Sequence, residues 1–331
     1  MFTPIHTSLG ALLLSQGSSG LLFHNGAVFG ISSLISGSVF NPNDENVPII
    51  AGLVSSILPV YLLAPSLIPS YSPAPHSLAS VAATLGLGFL LGWGTKNGRG
   101  CTSGHMLCGL SRLSPRSFIA TALFFTTALL TANFAFGGSN IPSCGTIPCY
   151  TPVYPSSSEL VFMAGSVLLA TITNFLVVPK TLHASKQSRT LFSYLAGLEF
   201  GLGLLISGMA DAGKVLGFFA ILTDPHRWDP SLALVILFGL GPSLVAYLSQ
   251  KPGQAGEKGK PSASPTLADR WRLPTATTAD IDWRFVTGAI AFGVAWGLQG
   301  ICPGPALLRT ALQPTWGICT MAGYILGNIY L

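Results

Sequence analysis

About nine stretches, each long and apolar enough to cross a bilayer, recur along this 331-residue chain. They lie near 7–24, 47–65, 76–95, 115–136, 158–178, 190–208, 231–249, 282–299 and 315–331; a hydrocarbon core needs roughly 20 mostly apolar residues per helix. Only 8% of the residues are charged, against about 25% in ordinary soluble domains. That is too little charge to cover a water-facing surface of this size. The 38 glycines and 24 prolines fall inside the apolar runs as well as between them, which membrane helices tolerate because neighbouring helices re-satisfy freed backbone groups. The expected fold class is therefore an all-α integral membrane protein of about nine spans. Apolar pieces near 26–38, 102–111, 212–223 and 303–312 are too short to cross, and read as half-helices that enter the membrane and turn back.

The basic residues distribute unevenly over the loops. With nine crossings, Lys96, Arg99, Arg112, Arg116, Lys180, Lys186, Arg189, Lys251, Lys258, Lys260, Arg270, Arg272 and Arg284 share one side, and Lys214, Arg227 and Arg309 the other. The positive-inside rule then puts the N-terminus outside and the C-terminus in the cytoplasm. The start, Met1 to His6, lacks a basic region before its apolar stretch, so the first segment reads as a retained helix and the plasma membrane as the default location. The polar stretch near 250–281, containing KPGQAGEKGKPSASPT, reads as a flexible cytoplasmic linker. No basic stripe interleaved with aromatics is present, so nucleic acid is not an expected partner; membrane lipid is. Without a Walker loop, a Ser-His-Asp order or HExxH, hydrolytic chemistry has little support. No catalytic residue, metal or cofactor is expected.

The two halves of the chain echo each other. GLGFLLGWGTKNGRGCTSGH at 86–105 and FGVAWGLQGICPGPAL at 292–307 each run from a Gly-rich helix end through a cysteine into a short apolar piece. LLFHNGAVFGISSLISG at 21–37 and LGLLISGMADAGKVLGFFAI at 202–221 each break a helix with glycine before a second short stretch. In both halves the order is broken segment, span, span ending in the cysteine motif, span. The expected organisation is a first transmembrane repeat over 1–140, a connecting region over 141–189 and a second repeat over 190–331. An odd linking helix at 158–178 inverts the second repeat, so that discontinuous helices face a shared midplane site.

The cysteine motifs carry the chemistry. GRGCTSGH places Cys101 after Gly100 and before a short helix, with Thr102 and Ser103 as caps and Gly104 opening the first turn. GICPGP places Cys302 likewise between Gly300 and Gly304, with Pro303 suited to a first helical turn. Helix N-termini hold anions through unpaired N–H groups and partial positive charge, at less cost in low dielectric than a buried lysine. A thiol there adds a soft, polarizable donor suited to a sulfur anion. A lone membrane cysteine is more often a small hydrophobe; two in matched positions reverse that expectation. His105, one turn after Cys101, is placed either to tune the thiol or carry a proton, or to line a polar cavity as a structural histidine. Asp211 and Lys214 are expected to neutralise each other, Cys108 and Cys319 to pack, and Lys96 and Arg99 to anchor the basic face. Cys144 and Cys149, on the outer loop, are candidates for a disulfide in an oxidising compartment, ahead of a zinc site.

GWGTKNGRGCTSGHMLCGLSRLSPRSF resembles the signature of the YeeE/YedE sulfur-transport membrane family, and GLEFGLGLLISGMADAGKVLGFF, HRWDPSLALV and GICPGPAL are similar to its partner segment. The resemblance runs from about residue 20 to the C-terminus. It implies a thiosulfate importer whose broken helices meet at an hourglass constriction, with pathway thiols contacting the anion by relayed hydrogen bonds. By motif those roles fall on Cys101 and Cys302. HNGAVFGISSLISG lacks the further pathway cysteine of some relatives. Two other classes compete with transport of thiosulfate or a related small anion. One is a membrane thiol-transferase that carries a persulfide to a cytosolic sulfur-accepting protein; the other is a scaffold whose cysteines only pack.

Overall fold

The structure is a computed structural model that describes residues 1–253 and 264–329. Each of the nine expected spans is a helix: α1 (Pro4–Asn25), α3 (Asn46–Leu63), α4 (Leu78–Asn97), α6 (Pro115–Phe134), α7 (Ser157–Thr181), α8 (Lys186–Ile206), α10 (Ser231–Gln250), α11 (Trp283–Gln299) and α13 (Pro314–Ile329). The four short pieces are helices too: α2 (Ile31–Phe40), the wide π-type α5 (Ser103–Leu110), α9 (Ala212–Phe219) and α12 (Pro303–Leu312). Among the described residues, six helices are long and apolar enough to cross a membrane, and α11 with α12, bent by 42° at their break, makes a seventh candidate. α1 is 22 residues long but carries Ser15, Ser18, His24 and Asn25 among its buried positions, so interior packing rather than lipid explains its polarity. The protein is an all-α, multi-pass membrane protein.

Glycine sets how the helices meet. α1 and α8 run antiparallel in backbone contact: a Cβ on Gly10 would lie 2.3 Å from Ser207 N, and one on Gly17 2.8 Å from Ala196 O. α4 and α11 do the same, Gly94 against Phe292 and Gly98 against Ala289. Each member of these two pairs carries a parallel neighbour. α3 lies on α8 (Gly197 against Ile49, Gly201 against Leu53) and α10 on α1 (Gly239 against Ala11, with Ser15 Oγ 2.8 Å from Ser243 Oγ). α13 lies on α4 (Gly88 against Thr320, Gly92 against Tyr324) and α6 on α11 (Gly293 against Phe124, Gly297 against Ala128). The pattern is unchanged when α1 is exchanged with α8, α3 with α10, α4 with α11 and α6 with α13. Outside it, α7 packs on α1 and is tied to α8 by Asn174, whose amide donates to the buried Glu199 carboxylate at 2.9 and 3.0 Å.

Two local readings are corrected. Of the stretch near 250–281, residues 254–263 lie outside the described residues, but the part that follows is a strap rather than a free linker. Thr266 N donates to Phe23 O, Leu267 N to His24 O and Arg272 N to Gly26 O, at 3.0, 2.8 and 2.7 Å. Those carbonyls end α1, where helical partners run out, and the polar composition concealed that Leu267 is buried beneath them. Asp211 and Lys214 do not pair: the carboxylate caps α9 by accepting from Gly213 N at 2.8 Å, while the ammonium donates to the Thr3 hydroxyl. The outer-loop pair does join, Cys144 to Cys149, in a disulfide.

Candidate functional site

Cys302 takes the residue position immediately before α12, and Cys101 stands one residue further back from α5, with Thr102 between. The Cys302 carbonyl accepts from Ala306 N and the Cys101 carbonyl from His105 N, both at 2.9 Å. The chain reaches these positions through glycine. Gly300 ends α11 with φ 65°, and a Cβ there would meet Ala212 O at 2.4 Å; a Cβ on Gly100 would strike the His105 ring at 2.7 Å. Left-handed backbone and close approach both select glycine.

The side chains then meet across the two halves. The Thr102 hydroxyl donates to Cys302 Sγ at 3.2 Å, which leaves the Cys302 S–H free to donate elsewhere. Ser103 Oγ lies 3.3 Å from Cys101 Sγ and accepts from Ile31 N, at the start of α2, at 3.0 Å. With that oxygen already accepting, its own hydrogen is free for the Cys101 sulfur. Thr102, Ser103, Cys101, Cys302 and Gly304 all line one chamber, closed by Leu204, Val215 and Val235, with Met106, Met209 and Trp296 among its walls. Its volume is about 60 Å³, room for a few water-sized particles, since one occupies about 10–15 Å³ on this measure. No charged side chain among the described residues lines it.

Large cavities lie on either side. One of about 840 Å³ opens at the N-terminal end of α1, lined by His6, Glu159, Asp211, Lys214, Arg227 and Asp229 and edged by the disulfide. One of about 720 Å³ opens at the opposite end, among Glu45, Arg99, Arg112, Arg116, Arg272 and the strap. Along α1 the two vestibules lie at opposite ends, and the narrow neutral chamber, which Leu14 lines, stands between them as a neck.

His105 belongs to neither thiol. Its Nδ1 lies 3.1 Å from Ser117 Oγ and its Nε2 3.0 Å from Gly98 O, with the ring edge-on to Phe285. It locks the turn below Cys101 and faces the basic vestibule, as does Gly104. Cys108 Sγ donates to Phe29 O at 3.3 Å and is buried, in keeping with a packing role. The sequence reading passed over Met106, Met209 and Trp296, although all three stand inside the quoted motifs, at GHML, SGMAD and VAWG, and their place beside a helix break was the signal for them. It also underrated Lys214, which is buried in the larger vestibule with a hydroxyl rather than a carboxylate as hydrogen-bond partner.

Broken helices around a narrow neck, with wide vestibules at opposite ends, characterise this multi-pass membrane protein. Residues 188–328 match the model of DUF6691, a family of unknown function. A "Probable transporter" of Xylella fastidiosa strain Temecula1 is 37% identical over 127 residues, which is 38% of this chain and 90% of that protein. Another, from strain 9a5c, is 40% identical over 121 residues, 36% of this chain and 74% of that protein. The chain belongs to the family of these probable transporters.

Proposed function

We propose that the protein is a permease for thiosulfate or a similar small sulfur-containing anion, passed from the Lys214 vestibule through the neck between Cys302 and Cys101 to the arginine-lined vestibule. The observation that carries this reading is the meeting of two N-terminal cysteines, from opposite halves of the chain, in a chamber without charged walls. A strongly hydrated oxyanion loses its water there and gains no cation. A sulfur anion gains S–H donors, methionine sulfur and the positive ends of α5 and α12, each weak enough to let it leave. The YeeE/YedE resemblance supports the same substrate class.

The exchange pattern of the helices supports an inverted repeat over 1–140 and 190–331, with the intervening 141–189 containing α7. The family match over 188–328 spans one such unit, and 127 residues making up 90% of a relative describe a protein less than half this length. The basic loops and the disulfide at the other face support a plasma-membrane orientation with the N-terminus outside.

Uptake of labelled thiosulfate into proteoliposomes tests the reading. Wild type is expected to accumulate thiosulfate and exclude sulfate, with Cys101→Ala and Cys302→Ala each losing most of the uptake. No uptake by folded wild type sinks the permease. A covalent sulfur adduct on Cys101 would favour the thiol-transferase and its cytosolic acceptor instead, and full uptake by a Cys101→Ser, Cys302→Ser variant would leave the thiols as packing.

A further inference from the structure

The cavity at the basic end of the molecule is lined by a buried cation whose hydrogen-bond donors the fold leaves partly unmet. Arg116 is 8% exposed and lines that cavity. Its guanidinium lies 4.8 Å from the centre of the Phe285 ring, and neither Nε nor Nη2 has a hydrogen-bond partner among the described residues. A buried charge with unmet donors is costly unless something pairs with it. Asp280 and Asp282 lie near enough to act on its charge but direct their hydrogen bonds elsewhere, as does Glu45. Asp280 accepts from Thr277 N at 2.7 Å and from its hydroxyl at 3.2 Å, Asp282 caps α11 by accepting from Phe285 N at 2.7 Å, and Glu45 is ion-paired to Arg272 at 2.6 Å. Arg99 and Arg112 line the same cavity, and Arg116 stands at the start of the 20-residue α6, where the helix presents its positive end.

We propose that this cavity holds a second anion site, centred on Arg116 with Arg99, Arg112 and the start of α6, that takes small tetrahedral dianions. Basic residues that only set topology sit in exposed loops; Arg116 is buried, and that separates it from Lys96 or Arg270. A guanidinium offers its planar fork of donors to any oxyanion of this shape, so the site does not distinguish sulfate from thiosulfate. The neck does. On the permease reading, on which this role rests, the site draws the anion out of the neutral chamber and holds it before release.

The test is equilibrium binding of labelled sulfate to the full-length protein purified in detergent. Wild type is expected to bind saturably, and the Cys101→Ala, Cys302→Ala variant to bind equally well, because its loss lies in the neck. Arg116→Gln is expected to weaken binding at least tenfold. Arg99 is exposed, so Arg99→Gln spares folding and is expected to weaken binding about threefold, the effect of one screened charge at close range. Absence of saturable sulfate binding by wild type, or unchanged affinity in a monodisperse Arg99→Gln protein, overturns the site. So does unchanged affinity in Arg116→Gln. Sulfate binding without thiosulfate uptake sinks the permease and keeps the site; uptake without sulfate binding does the reverse.

Discussion

Thr102 and Gly300 are the residues through which the thiol geometry is most readily disturbed. Thr102 fixes Cys302 by a 3.2 Å hydrogen bond, and such a bond contributes about 0.5–1.5 kcal/mol net. Thr102→Val is therefore expected to raise the KM for thiosulfate by up to about tenfold, with Thr102→Ser close to wild type, as read in proteoliposome uptake. Gly300 combines a left-handed φ of 65° with a carbonyl 2.4 Å from where a Cβ would stand. Gly300→Ala is expected to cost about 2 kcal/mol or more, seen as a lower melting temperature in detergent. A Gly300→Ala protein as stable as wild type would mean that the α11–α12 break does not depend on this conformation.

At the scale of elements, the parallel and antiparallel helix pairs depend on glycine seams, and their neighbours provide the control. A Cβ on Gly92 would lie 2.1 Å from Tyr324 O, whereas one on Gly86, on the same helix α4, meets nothing within 4 Å. Gly92→Val is expected to destabilise by about 1–3 kcal/mol through overpacking, and Gly86→Ala to be neutral or to stabilise by up to about 1 kcal/mol; fluorescence-monitored melting separates them. Much of this level was legible in the sequence. The apolar run lengths located nine helices, six of them long and apolar enough to cross a membrane, and the four runs too short to cross became short helices, because bilayer thickness leaves few alternatives. Tertiary choices were not legible. Local spacing put Lys214 next to Asp211, but a helix cap claimed the carboxylate and Thr3, over two hundred residues away, claimed the ammonium. For His105 helical periodicity left two roles open, thiol partner or structural histidine, and its ring took the second, bonded to Gly98 and Ser117. The strap at 264–277 looked like solvent-exposed chain because its polar composition gave no sign of the α1 carbonyls waiting for donors.

On the scale of the whole molecule, the chain forms two wide basic-and-acidic chambers of about 840 and 720 Å³ around a neck of about 60 Å³. On the proposed permease reading, a hydrated ion enters either wide chamber and sheds water only over a short neutral stretch, which concentrates selection where Cys101 and Cys302 lie. The proposed orientation makes a separate prediction. In intact cells, a membrane-impermeant reductant followed by an impermeant maleimide is expected to label Cys144 and Cys149; labelling only after permeabilisation would reverse the orientation. The central claim, that a sulfur anion sits between the two pathway thiols, is tested most directly by substrate protection. In a Cys108→Ala, Cys319→Ala background, the rate at which a small methanethiosulfonate reagent modifies Cys302 is measured with thiosulfate or sulfate present. The account predicts that thiosulfate slows the modification in a saturable way and that sulfate does not; equal rates with and without thiosulfate, in a protein that transports it, would contradict the account.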